Sequence, residues 1–166
     1  DQRQRAFSRL QEHIKSLPHA DAMAQVDQIV KELDVPGFDH SVLSWNALRR
    51  LAQEGVDLGA HSQTHPLFNQ ILIEEVRAEV AGSMRDLKRE IGSVLPVFAY
   101  PGGNLNERVV NVLREEGVIL GFTIQRGIND MNHVNRMLLR RINDGMRTSL
   151  AGLRAQFVIW SKICTH

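Results

Sequence analysis

The chain has a single cysteine, almost no net charge and no long apolar run among its 166 residues. One cysteine, Cys164, excludes an internal disulfide and a cysteine-rich zinc site. A formal net charge of +1 excludes the broad basic field expected of a nucleic-acid-binding protein. No apolar run is long enough to span a membrane, and no signal-peptide pattern opens the chain. The rest of the composition is that of an ordinary soluble globular protein. The chain is long enough for one domain with a sizeable core.

Two further absences concern the start of the chain and its acidic residues. The chain opens on Asp1 rather than methionine, so we expect it to be a piece of a longer protein, and its compartment stays open. No two aspartates are adjacent anywhere in the sequence.

Apolar periodicity predicts helices over most of the chain. Residues 5–34 show two helical faces separated by Pro18, and 35–38 read as a turn. Ser44 is a good N-cap for a helix that ends at Gly55. A long amphipathic helix is predicted over 72–91, with Gly92 at its end. A further helix is capped by Asn104 or Asn106 and ends at Gly117, and a last helix covers 149–159.

Short apolar runs between these helices predict strands. They cover residues 56–60, 97–100 and 118–123, whereas 136–142 reads as either strand or loop. Helices that alternate with strands indicate an α/β fold with parallel strands and covering helices.

Two histidines follow the first predicted strand, in the segment 59–66 (GAHSQTHP). Imidazole is a common ligand for zinc and similar divalent ions, and the carboxyl ends of parallel strands are where α/β active sites lie. Ser62 stands where a metalloprotease helix would carry its glutamate base, so that motif is excluded. The alternative is that His61 and His65 are hydrogen-bonded histidines near a strand end. A metal site usually takes three protein ligands, so a carboxylate must come from elsewhere.

The second predicted strand ends in 101–103 (PGG), at the same rim as the histidines. Backbone amides left bare by glycine can stabilise a developing oxyanion. The alternative is a plain strand-to-helix turn, and without the histidines that alternative would be preferred.

Taken together, these motifs resemble the polysaccharide deacetylases, which have the NodB homology fold and form carbohydrate esterase family 4. Residues 61–66 are similar to the family's metal-binding motif H-[ST]-x-x-H-P, and 98–103 (FAYPGG) to its third motif, with Ala99 in place of the arginine. The resemblance covers residues from about 41 to 143. It implies part of a distorted (β/α) barrel, with 1–40 as a helical insertion-like segment and 41–166 as the C-terminal part of the deacetylase domain.

The resemblance also implies an activity. The family removes N-acetyl groups from amino sugars of the N-acetylglucosamine type, using a divalent metal, here expected to be zinc. By resemblance, His61 and His65 bind the metal, the amide of Gly102 stabilises the oxyanion, and Tyr100 and Pro101 shape the acetyl pocket. The partner is an N-acetylated polysaccharide, with no nucleic acid and no membrane span in this chain, and the family suggests the cell envelope or secretion.

Three departures from the family pattern limit that expectation. The first motif, which supplies the aspartate base and the third metal ligand, is missing, and the fourth and fifth motifs are not recognisable. We therefore expect the chain alone to be inactive or nearly so, and its open sheet edge to favour self-association. His133 and Asp130 lie in a polar loop and are expected to be solvated loop residues. The competing hypothesis is a carbohydrate-binding or interaction module that kept the fold without the base.

Overall fold

A computed structural model describes residues 2–34, 42–142, 145 and 148–163 of the chain. Helices and strands alternate from residue 73 to residue 126, as the sequence predicts. In chain order the elements are α1 (Gln2–Ser16), α2 (His19–Glu32), α3 (Trp45–Gln53), α4 (Ile73–Ile91), β1 (Val97–Ala99), a 3-10 turn (Pro101–Gly103), α5 (Glu107–Glu115), β2 (Leu120–Arg126), β3 (Leu139–Arg141) and α6 (Leu150–Ile163).

The chain forms two compact units, Asp1–Arg50 and Leu51–His166. In the first unit, α1 and α2 confirm the helices predicted over 5–34, separated by Pro18. Neither helix has a buried residue, so both amphipathic faces keep large apolar side chains exposed. The predicted turn at 35–38 and the predicted boundary between residues 40 and 41 lie outside the described residues, and that boundary stays a prediction.

The helix α3 begins and ends as predicted, but the strand predicted directly after it is wrong. Ser44 Oγ accepts a 3.2 Å hydrogen bond from the amide of Ala47. At the other end Gly55 has φ +90°, and the amide of Val56 donates to the carbonyl of Leu51 at 3.0 Å. The left-handed Gly55 and the bond from Val56 to Leu51 belong to a Schellman cap at the end of α3. This cap uses the Val56 amide that a strand would need. Val56 is accordingly 45% exposed, and only Ala60 of the predicted strand pairs with the sheet.

The helices α4 and α5 cover the sheet and confirm the predicted amphipathic patterns. Val76 and Val80 of α4 are fully buried, and Gly92 ends that helix with φ +87°. Asn106 rather than Asn104 caps α5, since its Oδ1 accepts from the amide of Val109 at 3.0 Å. Arg77 of α4 forms ion pairs with the two last glutamates of the α5 region, Glu115 and Glu116.

The sheet has the order β1-β2-β3, and both pairings are parallel. Phe98 of β1 lies opposite Gly121 of β2, and Phe122 lies opposite Leu139 of β3. The region 136–142, left open between strand and loop, therefore contributes a strand. An isolated parallel bridge adds Ala60 to the outer side of β1, opposite Phe98.

The core of the second unit lies between this sheet and its helices. Phe98 stacks on Phe68 with ring centroids 5.8 Å apart, and it meets the Tyr100 ring edge-on at 6.1 Å. Tyr100 Oη donates a 3.0 Å hydrogen bond to the carbonyl of Met137. This contact needs glycine at position 121, where a Cβ would lie 2.5 Å from the Met137 oxygen and 2.8 Å from Tyr100 Oη.

The last helix, α6, confirms the helix predicted over 149–159. Several of its apolar side chains, among them Phe157 and Ile159, are exposed. Within the described residues, no helix combines the length and the apolar character that crossing a membrane requires.

Candidate active site

His61 lies at the carboxyl edge of the sheet because Ala60 is bonded to β1. The Ala60 amide donates to the carbonyl of Val97 at 3.2 Å, and the Ala99 amide donates to the carbonyl of Ala60 at 3.0 Å. The His61 ring then turns toward β1, with Nδ1 2.7 Å from the carbonyl oxygen of Ala99. A carbonyl oxygen only accepts hydrogen bonds, so Nδ1 is the donor, and in the neutral ring Nε2 then has the free lone pair. This tautomer is the one a metal-binding histidine needs.

His65 lies beside His61. Their ring centroids are 4.8 Å apart, and the ring planes meet at 78°. Both residues are exposed, so an ion could reach both rings from solvent. The backbone between them makes a tight turn, in which Ser62 and His65 have φ values of 65° and 60°. Ser62 Oγ accepts a 3.0 Å hydrogen bond from the His65 amide and closes that turn.

We call residues 61–65 the histidine loop, and helix α4 holds it in place. Both carboxylate oxygens of Glu79 accept from the loop: Oε2 from the amides of Gln63 and Thr64 at 2.7 and 2.9 Å, and Oε1 from Thr64 Oγ1 at 2.7 Å. Gln63 Nε2 donates to Asp86 Oδ2 at 2.6 Å. That hydrogen bond, more than the nearby Arg89 guanidinium, holds the pKa of Asp86 below its usual range.

These α4 residues were not predicted from the sequence. A signal was present, because Glu79 and Asp86 are two helical turns apart and so lie on one face of a helix. That spacing shows which residues share a face but not which loop the face meets.

The turn after β1 lies against the same part of the chain. Gly102 has φ 59° and ψ 4°, and a Cβ there would lie 2.8 Å from Cδ2 of Leu67, two residues beyond His65. In the part of the chain that the structure describes, the Gly102 amide has no hydrogen-bond partner. A free amide therefore lies next to the segment that carries the histidines.

Tyr100 and Pro101 are both buried, beneath this turn rather than on its surface. Burial raises the pKa of the Tyr100 hydroxyl to about 12. With Oη bonded to Met137, the phenol supports the turn from inside the core. Any contribution of these two residues to a pocket would come from the shape they give the backbone at Gly102.

A complete metal site is not formed by the described residues. Among them no group of three histidine, cysteine, aspartate or glutamate side chains could hold a metal ion. The two histidines fit two positions of a zinc coordination sphere and leave the third to another residue. His166 lies outside the described residues.

Asp130 and His133 lie in the loop after β2 and bond to each other. Asp130 Oδ2 is 2.7 Å from His133 Nδ1, and this hydrogen bond lowers the pKa of Asp130. The Asp130 carbonyl also accepts from the amides of His133 and Val134. These contacts stay within one turn, as expected of solvated loop residues, and the His133 side chain is 83% exposed.

Several solved structures share this fold. The deacetylase PplD of Streptococcus pyogenes, in complex with acetate, is 21% identical with a TM-score of 0.65, over 72% of this chain and 52% of that one. The BpsB deacetylase domain of Bordetella bronchiseptica is 25% identical with a TM-score of 0.54, over 60% and 48%. IcaB of Ammonifex degensii is 20% identical with a TM-score of 0.58, over 81% and 65%. This chain thus spans about half the length of PplD and of the BpsB domain.

No curated protein sequence matches the chain. The family model described as Polysaccharide deacetylase matches residues 11–120, which is more than half of the sequence and includes the histidine loop and the turn after β1. The chain therefore belongs to the polysaccharide deacetylase family.

Proposed function

We propose that the protein carrying this chain is a metal-dependent hydrolase that removes N-acetyl groups from an amino-sugar polysaccharide of the N-acetylglucosamine type. The observation that carries the proposal is the position of His61 beside His65, with Nδ1 of His61 bonded to Ala99 and Nε2 free. Family membership and the neighbouring Gly102 turn support the same chemistry.

The residues that would hold the metal are His61 and His65, through ring nitrogens. Two neutral imidazoles and one carboxylate suit zinc, which is the ion we propose. When bound, zinc supplies Lewis acidity toward a carbonyl oxygen and makes a coordinated water more acidic. The hydrogen bond to Ala99 holds the His61 ring with Nδ1 as the donor, an orientation that leaves Nε2 for the metal.

The amide of Gly102 would donate to the acetyl oxygen as negative charge develops on it. A fixed backbone donor near that position stabilises a tetrahedral oxyanion more than it stabilises the planar amide. The buried Tyr100 and Pro101 would keep the turn rigid, so the donor does not have to reorganise during the reaction. In the overall reaction, water breaks the amide C–N bond and gives acetate and a free amine.

The base that removes a proton from water is not among the residues we assign. The family takes it from an Asp-Asp motif, and this sequence contains no adjacent aspartates. We expect the 166-residue chain by itself to release little or no acetate. We also propose that it self-associates through the edge beside Ala60, where a single residue of the described ranges pairs with β1. Sedimentation at several concentrations would measure this association.

Acetate release from N-acetylglucosamine oligomers by the full-length protein tests the proposed activity. His61→Ala should abolish release, and His13→Ala, which removes an exposed histidine of α1, should leave it unchanged. Unchanged activity in His61→Ala would rule out the assignment. Oligomer binding without any acetate release by the wild type would instead support the carbohydrate-binding module.

A further inference from the structure

The histidine loop has a backbone conformation that requires support from outside the loop. Ser62 and His65 both have positive φ, a region that side chains with a Cβ disfavour. The hydrogen bond from the His65 amide to Ser62 Oγ closes the turn. It does not fix the turn relative to the sheet, where His61 is bonded to Ala99.

Glu79 accepts three hydrogen bonds from the loop. Its carboxylate accepts from two consecutive backbone amides, Gln63 and Thr64, and from the Thr64 hydroxyl, all at 2.7–2.9 Å. Hydrogen bonds to a charged acceptor are stronger than neutral ones and fix direction as well as distance. The two amides belong to residues between the histidines, so Glu79 controls the part of the backbone that determines how His65 faces His61.

Gly82 and Asp86 hold the same loop through the Gln63 side chain. A Cβ on Gly82 would lie 2.1 Å from Gln63 Oε1. The Gln63 side chain therefore crosses α4 at a position where any residue other than glycine would collide with it. Its Nε2 then donates to Asp86 at 2.6 Å, and Arg89 donates to the other Asp86 oxygen at 2.7 Å. Glu79, Gly82 and Asp86 therefore form one continuous support, which we call the α4 clamp.

The helix that carries the clamp is itself fixed. Val76 and Val80 are fully buried in the core beside the clamp positions, and Ser83 Oγ donates to the carbonyl of Val80. Glu79 is fully engaged with loop donors and is not part of any three-residue metal group in the described ranges. Its carboxylate is committed to the loop, so it affects a bound ion through the position that it gives the loop.

We propose that the α4 clamp sets the metal affinity of His61 and His65, as a set of positioning residues that never touch the ion. The proposal rests on the proposed function, since it assumes that the histidine pair binds a divalent metal. Removing the clamp would leave both imidazoles present but free to separate. Partners that orient a metal ligand typically change metal affinity by about 10–100-fold when they are removed.

The test is a Co²⁺ titration of the full-length protein, followed by visible absorption, with unfolding measured in parallel. Glu79→Ala should weaken Co²⁺ binding by about 10–100-fold and shift the absorption bands while the protein stays folded. Glu79→Gln should rescue most of the affinity, because its amide oxygen can accept from both backbone amides and its NH₂ group can donate to Thr64 Oγ1. A purely structural role would change the unfolding midpoint and leave the dissociation constant and the bands of the folded protein unchanged.

Glu74→Ala is the matched control, since Glu74 is an exposed carboxylate on the same helix with no contact to the loop. Gly82→Ala is the second variant, because alanine suits a helix and displaces only the Gln63 side chain. It should also weaken Co²⁺ binding, and it decides the matter if Glu79→Ala does not fold. Wild-type affinity in the folded variants would overturn the clamp proposal alone. A wild type that binds no Co²⁺ would overturn the proposed metal site, and the clamp proposal with it.

Discussion

Tyr100 Oη donates a 3.0 Å hydrogen bond to the carbonyl oxygen of Met137, from a residue that is only 1% exposed. The bond joins the end of β1 to the segment that leads into β3, across the strand between them. The turn that carries Gly102 begins directly after Tyr100. The stability of that turn therefore depends on the bond to Met137, which lies across β2 in the segment before β3.

Tyr100→Phe should lower the free energy of unfolding by about 1–2 kcal/mol, because a buried carbonyl loses its donor while the ring is kept. Urea denaturation measures this change. Acetate release should fall modestly as well, because the turn that positions the Gly102 amide loses one of its supports. A variant as stable as the wild type would show that Met137 finds another partner.

The same substitution should change the response to alkaline pH. Burial raises the pKa of Tyr100 from 10.0 to about 12, so between these values the unfolded chain has released a proton that the folded protein still holds. The wild type should therefore lose stability as the pH rises from 10 to about 12. Tyr100→Phe should show a smaller loss across this range, and parallel curves for the two proteins would contradict the assignment.

Gly102→Ala should reduce both stability and acetate release. Its left-handed backbone costs a residue with a Cβ roughly 1–2 kcal/mol, and the new Cβ would press on Leu67 at 2.8 Å. Gly92→Ala is the matched control, since its φ is +87° with no atom within 4 Å of the Cβ. It should show a similar loss of stability in thermal unfolding and keep its activity. Equal activity in both variants would remove Gly102 from the site.

Asn106→Ala should destabilise the protein by about 1 kcal/mol, because the first turn of α5 loses the acceptor of its Val109 amide. Asn104→Ala should have a smaller effect, since Asn104 does not cap the helix. Chemical denaturation of the two variants compares them directly. A larger loss in Asn104→Ala would mean that the cap is assigned to the wrong asparagine.

The helices could be predicted from the sequence because each buries one face at a regular spacing, as Val76 and Val80 do on α4. The strand starts were less accurate, for one physical reason. After α3 and again after α5, a glycine and the residue following it donate their amides back to the helix: Val56 to Leu51, and Val118 to Leu113 at 2.9 Å. Each strand was predicted directly after the glycine, where the backbone is still part of a helix cap. Apolar alternation does not reveal this use of the amides.

Some residues of the candidate site could also be predicted from the sequence, and others could not. The histidines and Gly102 could be located because the carboxyl ends of neighbouring parallel strands meet at one edge of the sheet. Glu79 could not, since its partners Gln63 and Thr64 lie 15–16 residues earlier and bond mainly through backbone amides. Backbone amides are the same in every residue type, so no letter of the sequence marks them as partners. Only the path of the loop over α4 brings them together.

The hydrogen bond between His61 and Ala99 has a consequence for how the site matures. Ala99 presents its carbonyl to the imidazole only while Ala60 and Phe98 are opposite each other. A slip of one residue in β1 would turn that carbonyl away and take Phe98 out of the core. The orientation of the His61 imidazole therefore depends on the correct pairing of Ala60 with β1. If His61 binds the metal proposed above, metal uptake would therefore report on the register of this strand pair.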